Sequence, residues 1–250
     1  MSVLAWKIWL YTGVDDVLGR YRRTILGPLW IVISQCAFIF GLYLIRKSIA
    51  GPDNANYLLF LAISIPAWNL IASFLIDGTN SLLRSKGYIE SYPLPMPIFV
   101  IRTVVACLVN FFHLLVVFAL IAIIYQHPLT LNALWFIPAL LIITMFGFGA
   151  CLGLSGLGVR FRDLSPAISA VIGLMFVLTP VFWVPVPELM NSAIVRYNPF
   201  FYLIEIMREP LLQSSISPNV WMTALLISVG TFIAGLTIYK MTRPTVIYWL

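Results

Sequence analysis

The chain has 250 residues, of which 61% are hydrophobic and only 10% are charged, with a formal net charge of +6. An average soluble domain carries about 25% charged residues, so this composition excludes a protein whose whole surface faces water. It predicts an integral membrane protein, and membrane orientation explains the basic excess, so no nucleic-acid partner is expected. Cys36, Cys107 and Cys151 fall inside apolar runs without paired spacing, which predicts neither a disulfide framework nor a metal site.

Residues 1–28 are predicted to form a cytoplasmic interfacial segment. Apolar residues recur at helical spacing through positions 3–17, where tryptophan and tyrosine suit the head-group zone. A helix lying along the membrane is the favoured interpretation, and a disordered tail is the alternative. Arg20, Arg22 and Arg23 then precede the first long apolar run. The residues before that run show no cleavable signal pattern, so the run itself is expected to act as the insertion signal.

Six apolar segments are long enough to cross a hydrocarbon core, which takes about 20 helical residues. They are 29–46, 57–76, 98–125, 133–158, 165–184 and 220–240. The predicted fold is therefore an all-α, six-span membrane domain covering residues 1–250, with both termini on the same side. Gly149 and Gly153 form a GxxxG pattern in the fourth segment, which predicts a close approach of two helices.

Lysine and arginine outside the spans predict the orientation. With a cytoplasmic N-terminus, eleven of them lie on the cytoplasmic side and four on the other side, which is the expected bias. The eleven are Lys7, Arg20, Arg22, Arg23, Arg84, Lys86, Arg102, Arg160, Arg162, Lys240 and Arg243; the four are Arg46, Lys47, Arg196 and Arg208. Both termini are therefore predicted to be cytoplasmic.

Residues 77–97 form the first informative loop, on the predicted cytoplasmic side. Asn80 is expected to cap a short charged helix and Gly87 to end it, and prolines at 93, 95 and 97 then deny helix to the approach of the third span. Such an element is suited to receive a push from a partner protein. The alternative is a plain solvated connector.

Residues 185–219 form the second informative loop and are more apolar than a solvated loop. Pro187 is expected to open one short helix that runs to Tyr197, and Asn198 to cap a second that begins at Pro199 and ends at Pro210. Two helices too short to cross predict a re-entrant hairpin on the outer side, with an interfacial hairpin as the alternative. On the second helix Glu205, Arg208 and Glu209 share a side, where an i,i+3 ion pair is expected.

These features, in this order, resemble the membrane subunit of ABC-2 type exporters, in the branch that exports O-antigen, capsule or teichoic-acid polymers. The resemblance covers the chain end to end, and its most specific part is the first motif. The matching stretches are Arg20 to Trp30 (RYRRTILGPLW), Arg84 to Pro97, Val159 to Leu164 (VRFRDL), Tyr197 to Phe200 (YNPF) and Arg208 to Pro210 (REP).

The resemblance implies a homodimer in the bacterial cytoplasmic membrane, with two copies of a separate ATPase subunit beneath it. No Walker A sequence occurs in this chain, so no enzyme activity and no bound cofactor are expected here, and ATP and magnesium belong to the partner. The implied substrate is a lipid-linked polysaccharide. The rivals are an ABC-2 exporter of drugs or lipids and a motor-free carrier or assembly factor.

Site residues follow from the same resemblance. Coupling to the ATPase falls to Arg84, Lys86, Gly87, Tyr88 and Glu90. The cytoplasmic anchor, where substrate arrives, comprises Arg20, Arg22, Arg23, Gly27, Pro28 and Trp30. The outer gate comprises Tyr197, Asn198, Pro199, Glu205, Arg208 and Glu209.

Aromatic rings are the candidates for lining the channel. Rings stack on sugar faces, and spans with few charges offer no deep ionic well to trap a moving polymer. The candidates are Phe38, Tyr43, Trp68, Phe74, Phe176, Phe182 and Trp183. The alternative is that these rings contact lipid or pack between helices.

Overall fold

The computed structural model describes residues 26–27, 29–50, 55–91, 95–128, 130–184, 192–213 and 215–250. Within these ranges the chain is helical and contains no strand. The helices are α1 (Leu29–Ala50), α2 (Ala55–Arg84), α3 (Lys86–Ser91), α4 (Pro97–Ile124), α5 (Phe136–Arg160, preceded by a 3₁₀ turn at Leu131–Trp135), α6 (Leu164–Leu178), α7 (Ala193–Arg196), α8 (Pro199–Leu212), α9 (Pro218–Thr242) and α10 (Val246–Trp249). The predicted interfacial helix at 3–17 lies outside the described residues.

Five described helices are long and apolar enough to cross a membrane, namely α1, α2, α4, α5 and α9. The chain is therefore a multi-pass membrane protein. The expected span at 165–184 is a 15-residue apolar helix, α6, that ends at Leu178. The reason is Pro180, because the residue before a proline is driven out of the helical region, and Thr179 is extended (φ −90°, ψ 137°).

Helix α2 lies at the centre of the bundle, packed against α4, α5, α6 and α8. Its side chains dominate the core, where Leu61, Ile63, Ile71 and Phe74 are fully buried. Helix α5 is sandwiched between α2 and α9, whereas α1 and α9 expose most of their apolar surface. Those exposed faces are the ones available to lipid or to other protein chains.

The contact between α5 and α9 confirms the prediction from the GxxxG pattern. A Cβ on Gly149 would overlap the backbone of Phe232, and a Cβ on Gly153 would lie 3.1 Å from Gly235 Cα. The two backbones touch where glycines face each other, which is how membrane helices gain packing contact without a hydrophobic driving force. This contact lies within one subunit.

The bundle has two distinct ends. At the first, which we call the basic end, Leu82, Met96, Phe99, Val159 and Val246 form a small apolar cluster. At the other, which we call the hairpin end, α8 contacts the start of α9 and the 3₁₀ turn before α5. The two ends are opposite because α5 begins after the 3₁₀ turn at the hairpin end and finishes beside Val159 at the basic end.

Two predicted helix boundaries are wrong. Asn80 does not cap a new helix, because α2 continues to Arg84 and the Asn80 amide donates to the carbonyl of Ile76 (3.1 Å) and to Ser165 Oγ (2.7 Å). Gly87 does not end a helix but lies inside α3. The loop between spans two and three is correspondingly shorter than 77–97.

The predicted start of the second helix of this loop is confirmed. Asn198 caps α8 and Pro199 is its first residue, as expected. Helix α8 continues past Pro210 to Leu212, because a proline in the last turn interrupts little, and Gln213 N still donates to Glu209 O (3.0 Å). Of the preceding helix, only Ala193–Arg196 lies in the described residues, so its predicted start at Pro187 is outside them.

Candidate functional site

The loop at the basic end carries the predicted coupling residues. Arg84 Nη1 lies 2.7 Å from Asp77 Oδ1, and Lys86 Nζ lies 3.7 Å from Glu90 Oε1 one turn along α3. The side chains of Arg84, Lys86 and Glu90 are each about half exposed or more. Exposed ion pairs contribute only about 0–1 kcal/mol, so these charges are available to a partner without being needed for the fold.

Helix α3 is tied to the rest of the basic end through its first residues. Ser85 O accepts hydrogen bonds from Tyr88 N and Ile89 N (both 3.0 Å), which starts α3 one residue after α2 ends. Lys86 Nζ donates to the carbonyl of Leu250, and the Arg102 guanidinium lies 5.1 Å from the Tyr88 ring centre. Helix α3 therefore contacts α4 and the segment after α9 directly.

The predicted anchor before α1 is only partly described. Arg20, Arg22, Arg23 and Pro28 lie outside the described residues. Gly27 adopts φ +54°, a left-handed conformation that glycine takes without strain, and Leu29 N donates to Leu26 O (3.1 Å). A turn thus precedes α1, and Trp30 in its first turn is 48% exposed.

Asn198 organises the hairpin end. Its Oδ1 accepts a hydrogen bond from Phe200 N (3.0 Å), which is the N-cap of α8, while its Nδ2 donates to Thr179 Oγ1 (2.8 Å). One buried side chain therefore fixes the start of α8 against the end of α6. Neighbouring Tyr197 is 79% exposed and makes no part of this joint.

Replacing Asn198 with alanine is expected to destabilise the protein by about 1–2 kcal/mol, because a helix cap is lost and the Thr179 hydroxyl loses a partner. Asn198→Ser keeps a capping oxygen but is too short to hold Thr179, so we expect a smaller loss. Thermal unfolding of the detergent-solubilised protein measures both. The exposed Asn219→Ala serves as control, and an equal effect of Asn219→Ala and Asn198→Ala would contradict the assignment.

A buried charge cluster joins α8 to its neighbours. Arg208 Nη2 lies 2.9 Å from Glu205 Oε2, which confirms the expected i,i+3 pair, and the guanidinium lies 4.6 Å from the Phe60 ring centre on α2. Glu209 Oε2 accepts hydrogen bonds from Trp221 Nε1 (2.9 Å) and Ser217 N (3.2 Å). Arg208 and Glu209 are each only 2% exposed, so this cluster connects α2, α8 and α9 through charges withdrawn from water.

Three of the predicted aromatic residues meet at the hairpin end. Trp68 lies 5.7 Å from Phe176, ring centre to ring centre, and Phe176 lies 5.3 Å from Phe182. Phe200, which the sequence interpretation did not single out, completes the group at 5.7 Å from Trp68 in an edge-on arrangement. The Phe182 carbonyl accepts a hydrogen bond from the Tyr57 hydroxyl (2.5 Å), which ties this group to the start of α2.

The other candidate rings are not part of this group. Phe74 is fully buried against Gly147, so in this structure it is a packing residue and not a surface ring. Phe38 is 47% exposed on α1, and Tyr43 stacks near Phe40 at 6.4 Å. Trp183 donates from Nε1 to Val177 O (3.0 Å) beside the end of α6.

Sequence reasoning also missed a row of polar residues on α2. They recur at every fourth position, so each member lies one turn beyond the last and about 40° around the helix from it, and two cavities lie along this row. The row is Asn69, Ser73, Asp77 and Ser81, with Ser85 directly after the end of α2. Its four-residue period was visible in the sequence but was divided there between a span and a loop.

The chain is thus a multi-pass helical bundle with buried polar side chains and an exposed charged loop. The family described as ABC-2 type transporter matches residues 13–212. The chain belongs to this family, which confirms the family predicted from the motifs. Membership implies a nucleotide-binding ATPase as partner.

Curated relatives agree with this placement. Two proteins of Klebsiella pneumoniae named "O-antigen export system permease protein RfbA" are similar to this chain. One is 26% identical over 90% of this chain and 88% of its own length, and the other is 29% identical over 78% and 76%. A protein of the same name from Myxococcus xanthus is 22% identical over 82% of each chain.

Proposed function

We propose that this chain is the membrane-spanning permease of an ATP-driven exporter that moves a lipid-linked polysaccharide across the bacterial cytoplasmic membrane. The observation that carries the proposal is the similarity, over up to 90% of the chain, to permeases named for O-antigen export. Two copies of the chain would enclose the path and two ATPase subunits would drive it. The faces of α1 and α6 that the described residues leave exposed would meet the second copy.

The proposed topology puts the basic end in the cytoplasm. Described lysines and arginines are more numerous there than at the hairpin end, as the positive-inside rule requires. The basic end holds Arg84, Lys86, Arg102, Arg160, Arg162, Lys240 and Arg243; the hairpin end holds Arg46, Lys47, Arg196 and Arg208. Helix α6, about 22 Å long at 1.5 Å per residue, would complete a sixth crossing with the stretch that follows it.

The proposed roles of the site residues follow from this topology. Arg20, Arg22 and Arg23 would lie where the ATPase and an anionic substrate both arrive. Phe176 and Phe182 are partly exposed near α8 and would contact sugar at the outer part of the path, whereas Trp68 is 4% exposed and would support them. The hydrogen bonds of Asn198 and the ion pair of Glu205 with Arg208 would stabilise the closed outer gate.

Coupling is tested by neutralising the charges of the loop at the basic end. With Arg84→Gln or Glu90→Gln we expect several-fold less polymer on the cell surface and less stimulation of the partner ATPase, since the loop would no longer transmit closure. Arg243→Gln, an exposed arginine just after α9, is the matched control. Normal values of both readouts in Arg84→Gln and Glu90→Gln would reject the coupling role.

A strain that lacks this chain distinguishes the proposal from the rival substrate class. An exporter of drugs or lipids predicts that deleting the chain changes drug tolerance or lipid composition and leaves surface polymer unchanged. The proposal predicts that deletion lowers surface polymer and leaves drug tolerance and lipid composition unchanged.

A further inference from the structure

Two cavities adjoin in the groove between α2 and α4. The first, of about 280 Å³, is closed on its third side by α1 and lies beside Gln35 and Asn69. The second, of about 260 Å³, continues toward the basic end and reaches Arg84 and Arg102. Asn110 lines both, so the two form one crevice that leads from the basic end into the bundle.

One wall of this crevice is the polar row of α2. From Asn69 to Ser85 the row extends roughly 24 Å, because each helical residue rises about 1.5 Å. The facing wall on α4 adds Thr103 and Asn110. A polar strip of this length inside a helix pair that otherwise packs apolar side chains is not needed for packing.

Two groups along the crevice have no hydrogen-bond partner in the described part of the chain. They are Gln35 Nε2 and Ser81 Oγ, on residues that are 7% and 2% exposed. Gln35 Oε1 is already occupied by the Asn69 amide at 3.3 Å, so its Nε2 is the donor left over. A buried polar group without a partner costs about 1–3 kcal/mol, which favours a ligand that supplies hydroxyls or other polar atoms.

Charge varies along the crevice. Its mouth is lined by the guanidinium groups of Arg84, which pairs with the Asp77 carboxylate at 2.7 Å, and of Arg102. The inner cavity has only neutral polar and apolar lining. This arrangement matches a molecule with an anionic group at one end and neutral hydroxyls at the other.

We propose that the crevice binds the head group of a lipid-linked saccharide, with its phosphate at Arg84 and Arg102 and its first sugar on Ser81 and Asn110. The inference rests on the proposed function and adds a binding site within a single subunit. Small-molecule sites have volumes of about 300–1,000 Å³, and the two adjoining cavities together fall within that range. A hydroxyl of this sugar would satisfy the unpaired Ser81 Oγ, whereas Gln35 Nε2 lies in the inner cavity, beyond the reach of the first sugar.

The test measures binding to the full-length protein in nanodiscs. The probes are a short-chain prenyl diphosphate bearing one hexose, the same diphosphate without sugar, and phosphatidylglycerol. Asn110→Leu and Ser81→Ala are each expected to weaken the sugar-bearing probe roughly three- to tenfold, the equivalent of one or two neutral hydrogen bonds, and to leave the sugar-free probe unchanged. Arg84→Gln is expected to weaken both diphosphates.

The matched control is Ser228→Ala, which also removes a buried hydroxyl without a described partner but lines neither cavity. Equal affinity of Asn110→Leu, Ser81→Ala and the unaltered protein for the sugar-bearing probe would overturn the proposal and leave a crevice that holds water only. Phosphatidylglycerol binding as tightly as the sugar-bearing probe would overturn it in favour of an ordinary lipid.

Polymer export in cells is scored separately. Export of polymer by a protein whose binding ignores Asn110 and Ser81 would reject the site and leave the proposed function standing. Residue-dependent binding of the sugar probe in a protein that exports no polymer would reject the proposed function and leave the site standing. Since a buried leucine can disturb folding, thermal unfolding is measured for every variant, and Ser81→Ala carries the comparison if Asn110→Leu is unstable.

Discussion

Replacing Arg208 with leucine is expected to destabilise the protein by about 3–5 kcal/mol, because the cation that faces Glu205 would be gone and carboxylates withdrawn from water would remain. Arg208 is 2% exposed, with Nη2 2.9 Å from Glu205 Oε2 and its guanidinium over Phe60. The loss would act on three helices at once, since Glu209 bonds to Trp221 on α9. Thermal unfolding and the yield of monodisperse protein in detergent measure it.

Two further variants identify the cause. Arg196→Leu removes an exposed arginine from the neighbouring α7 and is expected to change stability little. Combining Arg208→Leu with Glu205→Gln is expected to recover part of the loss, because the partly buried Glu205 carboxylate is neutralised together with the cation. Arg208→Leu unfolding no earlier than Arg196→Leu would show that the cluster does not stabilise the hairpin end.

Membrane segments and caps were predictable because each depends on local sequence. Apolar length located α1, α2, α4, α5 and α9, and the Asn198-Pro199 pair located the start of α8. The glycine spacing in α5 likewise predicted a close helix contact. In each case one continuous stretch of sequence contains the pattern that predicts the structure.

Predictions failed where tertiary contact decides the outcome. Asn80 is a residue type that often caps helices, but its amide donates to Ile76 O and to Ser165 on α6, and α2 continues past it to Arg84. Phe74 has the composition of a channel ring, but Gly147 on α5 leaves space that its ring fills. The sequence around Asn80 or Phe74 does not indicate which helix packs against that residue.

The candidate site shows the same division. The pairing of Arg208 with Glu205 follows from a three-residue spacing on one helix, and it was predicted. The bonds from Trp221 to Glu209 and from Asn198 to Thr179 join one helix to the next element across a turn of the chain, and they were not predicted. The crevice along α2 needed both kinds of information, because the period of the polar row is local whereas the facing wall on α4 is not.

Replacing Gly235 with leucine is expected to disrupt the bundle, because the backbones of α5 and α9 meet there. A Cβ on Gly235 would overlap the Gly149 carbonyl group, and its position would be 2.7 Å from Gly149 C. A backbone cannot rotate away as a side chain can, so the helices must separate. We expect a loss at or above the upper end of the roughly 1–3 kcal/mol typical of overpacked sites, seen as a lower unfolding temperature and less folded protein.

Gly230→Leu on the same helix separates this contact from every general effect of removing a glycine. A Cβ there meets nothing within 4 Å, and the residue is exposed. Both substitutions gain the same helix propensity, about 1 kcal/mol for replacing glycine, so Gly230→Leu is expected to be neutral or slightly stabilising. If Gly230→Leu and Gly235→Leu unfold at the same temperature, then the close approach of α5 and α9 is not what holds these two helices together.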